Sequence, residues 1–329
     1  MATPQPPVIP PDVAKLTGPL LLGQFFNWGL FGVLTVQVYF YYLAFPSDRQ
    51  RQHSLVLCIF ALEAIQTLLG TSDGFRILAT GWGNVVELDK VGALWFSYPL
   101  LNTIVSFIVQ LFYAWRIYVL SINNMWLPII VATLSVVQFI AGAYEASVTH
   151  RLGSFSQLAT SDIWSGALHL TGSAVCDVVI VVGMSYYLDR SKIGFRRFNA
   201  LLGKLVRITV ETGFLCMALA IVDMALFFAY RRTNYHTVPA SVLSKIYSNS
   251  LLVVLNTRAR MTGDPELEST NFDQSMSLSF YHPSQFQHTT RTMDLVTDES
   301  GTCIVNRAQY ITLELLAWWD KGAIGSGED

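Results

Sequence analysis

The sequence predicts an all-α bundle of seven membrane-crossing helices, and three observations carry that prediction. Only 13 % of the 329 residues are charged, about half the share found in soluble domains. Seven nearly uncharged runs each reach the length of about 20 residues that a helix needs to cross about 30 Å of hydrocarbon. These runs are apolar on both alternate residue sets, as in GLFGVLTVQVYFYYLAF and MWLPIIVATLSVVQFIAG, which excludes the alternating strands of a membrane β-barrel.

The first span covers residues 18–45. The stretch before it, MATPQPPVIPPDVAKLTG, is Pro-rich and lacks a basic n-region, so no cleaved signal peptide is expected and residues 1–17 form a short extracellular segment. Uncharged runs place the next spans at 54–75, 94–119 and 125–146, and three more at 164–188, 204–230 and 239–256, with ends good to about 2–4 residues. The last two are joined by RRTNYHTV, a connection short enough to favour adjacent antiparallel helices.

Residues 18–256 thus form the membrane domain. Beyond it, 257–329 turns rich in Ser, Thr, Asp, Glu and Gln with no sustained apolar period, which predicts a disordered tail whose hydroxyls offer phosphate acceptors. The apolar run near 308–319 is too short to span. No N-x-Ser/Thr sequon occurs, and Cys58, Cys176 and Cys216 lie in apolar runs, where free cysteines pack as small hydrophobes.

Basic residues set the expected orientation. Eleven lysines and arginines flank one set of helix ends and six the other, and the richer set belongs in the cytoplasm. The N-terminus is then outside and the tail cytoplasmic. Arg190, Lys192, Arg196, Arg197, Lys204 and Arg207 form a basic fifth-to-sixth connection, suited to anionic lipid or to a cytosolic partner that also reads the tail. A net charge of −2 gives no basic face for nucleic acid.

Six pieces, in order, carry a resemblance: GPLLLGQFFNWGLFGVLTVQVYFYY, GWGNVVELDKVGALWFSYP, VQLFYAWRIYVLS, GSAVCDVVIVVGMSYYL, RITVETG and LSKIYSNSLLVVLNTR. Together they resemble a seven-helix membrane protein family of mushroom-forming fungi, domain of unknown function 6534, over about residues 16–260. The resemblance implies the fold, a multi-pass membrane location and a fungal source. It supplies no functional residues.

Ionisable side chains inside a span normally face the bundle and find partners, because each costs about 2.5–3.5 kcal/mol at the helix centre. Glu63, Asp177, Glu211, Asp223 and Lys245 are the candidates. At about 1.5 Å per residue, Asp223 and Lys245 lie about 10 Å below the outer surface and His169 about 8 Å below it. These three are expected to form an outer polar pocket, with Asp223 as counter-charge to Lys245. For Lys245 three roles are open: a structural ion pair, a ligand counter-charge, or a covalent attachment point. Glu63, Asp177 and Glu211 are expected as buried acids, and Gln66, Asn102, Gln110, Gln138, Asn249 and Asn256 as interhelical glue.

Other chemistry lacks its motifs. Arg116 has no acid before it and reads as a snorkelling anchor; His169 is the one histidine inside a span, too few for a zinc hydrolase. A serine hydrolase would need a second histidine within the spans as base, and no Walker loop is present, so no enzyme activity, metal or cofactor is expected. The reading is a receptor-like or sensory membrane protein with a small-molecule or lipid ligand. The alternatives are a small-solute or proton transporter, using Glu63, Asp177 and Glu211 as a path, and a non-catalytic scaffold.

Overall fold

A computed structural model of the chain describes residues 13–257, except 47, 49, 83, 122–124, 155–156, 158–162, 192–195 and 231–234. All lie in the first of two units, Met1–Arg260. The fold is all-α, with one isolated bridge, Lys90 to Ser154, among the described residues. Its helices are α1 (Val13–Ala44), α2 (Gln50–Phe75), α3 (Val85–Asp89), α4 (Asn102–Leu120), α5 (Trp126–Leu152), α6 (Ile163–Ser191), α7 (Arg196–Ala229) and α8 (Thr237–Asn256). All but the short α3 are long and apolar enough to cross a membrane.

These seven match the expected spans in order and place. Three run at least five residues beyond the expected bounds, for one reason. Charged residues mark the end of an apolar run without ending the helix: α1 begins at Val13 rather than 18, through Lys15, α5 continues six residues past 146, through His150 and Arg151, and α7 begins at Arg196 rather than 204. Gly153, at φ 67°, stops α5 in the left-handed conformation that glycine adopts freely, and its N–H bonds to the Thr149 carbonyl.

Along α1, Asn27, Leu34 and Tyr41 recur every seven residues and are all buried, while Phe25, Phe26, Trp28, Val36 and Phe40 point outward. The exterior is therefore apolar and part of the interior polar. α1 packs on α2 and α8, α7 lies against α6 and α8, and α4 meets α5, α6 and α8. The last helix is the central one: 78 % of its most apolar stretch is buried, against 22–50 % for the others. Ser241, Ser244 and Ser248, with Gly23 against Ser241, let neighbouring backbones approach closely.

At one end, called here the α3 end, a π-helical turn follows α2 (Arg76–Thr80) and another, containing Pro99, precedes α4 (Phe96–Leu101). The loop between them is tied down. Asp73 accepts from Arg76 Nε at 3.3 Å and from the Ala93 N–H at 3.2 Å, and Arg76 donates to the Glu87 and Lys90 carbonyls. Gly92 has φ 60°, and a Cβ there would stand 2.3 Å from an Asp73 oxygen, so both backbone and space demand glycine. The Lys90 ammonium, bonded to Glu87, holds that carboxyl below its usual range.

Candidate functional site

Three buried polar networks occupy the interior. The first joins α1, α2, α4 and α8. Lys245 and Glu63 are both fully buried and form a direct ion pair. Lys245 Nζ also donates to Gln66 Oε1 at 2.6 Å and to the Glu63 carbonyl at 3.2 Å, so each of its three N–H groups has an acceptor. Ser248 Oγ donates to Glu63 Oε1 at 2.5 Å, and Ser244 Oγ to Gln66 Oε1 at 2.7 Å. Gln66 Nε2 reaches Asn102 Oδ1 at 2.6 Å, and Asn102 donates to the Ala240 carbonyl. The ammonium stands 5.9 Å from the Phe31 ring centroid, within cation–π range.

This corrects the expected pairing of Lys245 with Asp223. Equal depth and a short connection put the two residues at one level without fixing which way each side chain turns. Ser250 of α8 meets Cys216 of α7 at 3.5 Å, and five residues of helix rotate Lys245 about 140° from Ser250. The lysine therefore faces α2. A readable signal existed: Ser241, Ser244, Lys245 and Ser248 share one helical face, as do Glu63, Gln66, Thr67 and Gly70.

The second network joins α4, α5, α6 and α8. Asp177 Oδ1 accepts from Gln110 Nε2 at 3.2 Å, Oδ2 accepts from the Tyr247 hydroxyl, and that hydroxyl meets Ser173 Oγ at 3.2 Å. Gln110 Oε1 accepts from Ser135 at 3.0 Å and from Gln138. Tyr247→Phe is expected to lower stability by about 0.6–2 kcal/mol, read as a lower thermal midpoint in detergent, whereas Ser173→Ala should cost less because Asp177 keeps both its donors.

The third network lies at the α3 end, about 9–10 Å below the helix ends. His169 Nε2 meets Thr103 Oγ1 at 3.0 Å, and its Nδ1 meets Glu145 Oε2 at 2.8 Å. His169 thus joins α4 and α5 rather than Lys245, another correction. Glu145 belongs to the part of α5 that the expected boundary nearly cut off, and its role was missed for that reason. Asp223 is 1 % exposed and neither carboxylate oxygen has a hydrogen-bond partner among the described residues. Its nearest imidazole, His236 Nδ1, stands 3.9 Å away, beyond hydrogen-bond range. The half-buried His236 ring lies below its usual pKa, burial outweighing the pull of Glu145.

Of the remaining candidates, Glu63 and Asp177 are buried as expected. Glu211 is not: its side chain is 58 % exposed on the outer face of α7, paired with Arg207 at 2.8 Å. Lys192 and the side chains of Arg190, Arg196, Arg197 and Lys204 lie outside the described residues, as does the tail from 258 onward. Arg116 does not snorkel; it turns into the bundle and donates to Thr209 Oγ1 at 2.5 Å. Gln66, Asn102, Gln110 and Gln138 bond between helices as glue, and Asn249 and Asn256 do so to α1 carbonyls of Leu30 and Gln37. Among the described residues no three His, Cys, Asp or Glu side chains converge to hold a metal.

The matched family segment starts inside α6 and runs through α7 and α8. Residues 173–260 match a family of unknown function, DUF6534. No curated protein and no solved structure matches the chain. The DUF6534 segment contributes Asp177, Asp223, His236, Lys245 and Tyr247, whereas Glu63, Thr103, Glu145 and His169 come from helices before it. Each buried network therefore combines DUF6534 residues with residues outside that match or, in the third, sets them side by side.

Proposed function

We propose that this chain is a receptor-like, sensory membrane protein that crosses the bilayer seven times, with the α3 end outside and the tail cytoplasmic. One observation carries the reading. Every carboxylate oxygen of Glu63 and Asp177 is hydrogen-bonded, while the equally buried Asp223 at the α3 end has neither oxygen bonded among the described residues. A buried carboxylate with both oxygens unmet, beside buried acids whose oxygens are all bonded, suits a site that receives a ligand.

A transport path would need acids continuing toward the other end. Glu211, its expected lower member, leaves the interior for the α7 surface. In liposomes loaded with a pH-sensitive dye, the purified protein is expected to leave proton entry under an inward gradient unchanged from empty vesicles. A proton flux that Asp223→Asn abolishes would overturn the reading in favour of transport.

A further inference from the structure

We infer that Asp223 anchors a binding site for a small protonated amine at the α3 end, an assignment that rests on the receptor-like reading and names its ligand class. A buried carboxylate normally accepts hydrogen bonds, and leaving one unmet is costly. Asp223 is buried, and no donor reaches either of its oxygens among the described residues.

Among the described residues a second acid, Glu145, reaches this region with its Oε1 near Gly166, and no lysine or arginine bonds to Asp223. Lys245 is committed to Glu63 and Gln66, and Arg76 to Asp73 and two carbonyls. His236 stays outside hydrogen-bond range and, with its basicity lowered by burial, is a poor substitute. The charge balance at this site therefore favours a ligand that brings positive charge and N–H donors together.

The walls suit an organic cation rather than a metal. Phe227 packs against α6 at Gly166, where a Cβ would stand 3.1 Å from its ring and 3.3 Å from Glu145 Oε1. Glycine at that position lets ring and carboxylate close on one point. The same ring meets the His236 imidazole edge to face at 5.5 Å. An aromatic ring close to a carboxylate is an environment that attracts an ammonium group, whereas a metal would need a converging ligand set, which is lacking among the described residues. Close packing limits the ligand to a small one. Both Glu145 and His236 are partly exposed, and they mark its way in.

The test is thermal unfolding of the purified full chain in detergent with methylammonium chloride, against sodium chloride and tetramethylammonium chloride at equal ionic strength. Methylammonium, with three N–H donors, is expected to raise the midpoint by about 3 °C near saturation; the other two salts are not. Asp223→Asn should abolish that rise. No difference between methylammonium and sodium in the wild type, or a rise that persists in Asp223→Asn, overturns the assignment. Should Asp223→Asn not fold, the wild-type comparison decides, since equal shifts with the donor-less tetramethylammonium also overturn it. Failure here leaves the proton-flux result standing, so the ligand class and the receptor-like reading fail separately.

Discussion

Lys245→Ala is expected to destabilise the bundle by about 3–5 kcal/mol, the range for removing one partner of a buried ion pair. Glu63 would keep Ser248 at 2.5 Å and Ser244 at 3.4 Å but lose the cation it pairs with, in a position with no access to solvent. Glu63→Ala should cost about as much, since it strands the ammonium instead. The paired change Glu63→Leu with Lys245→Met should recover most of the loss, because an apolar pair of similar volume needs no compensation. The midpoints of wild type, Glu63→Leu, Lys245→Met and their double variant in detergent form a thermodynamic cycle. Lys245→Ala combined with Asp223→Ala should be no more stable than Lys245→Ala alone. A rescue by the Asp223 change, absent with the Glu63 change, would mean that the pairing described here is wrong.

Gly142→Val should be the next most damaging change, at about 3 kcal/mol, the upper end of the usual range for overpacking. A Cβ at this position of α5 would stand 2.1 Å from Thr103 Oγ1 and 3.0 Å from Thr103 Cβ. Rotating the threonine cannot relieve the second contact, so α4 and α5 must move apart. That displacement also pulls Thr103 away from His169 Nε2, now at 3.0 Å. Gly142→Ala should cost less, and Thr103→Ala in the Gly142→Ala background should restore part of the loss. Equal midpoints for Gly142→Val and wild type would sink the account of this contact.

The seven spans were legible because a membrane imposes a composition that can be counted: long, uncharged and apolar on every face. The interior was legible only in part. Depth along a helix follows from residue number, so Glu63, Asp177 and Asp223 could be assigned to the buried set. Rotation about the helix axis depends on which neighbour each face meets, and that is why Lys245 went to the wrong acid. Glu211 failed for the same reason, turning outward to Arg207. Glu145 was missed because α5 runs on through charged residues that look like an ending. The matching serine and glutamine faces of α8 and α2 were present in the sequence, and comparing helical faces before depths would have found the pair.

The central place of α8 has a consequence for how the protein is made. Glu63 and Lys245 are 182 residues apart, so at about 5–20 residues per second of synthesis the acid leaves the ribosome about 10–40 s before its cation. Six long helices are complete while the seat at the middle is still empty. Closure of the bundle is thus timed by the final helix to emerge, and quality control acting in that interval would meet an open ring with an unneutralised acid on its inner wall.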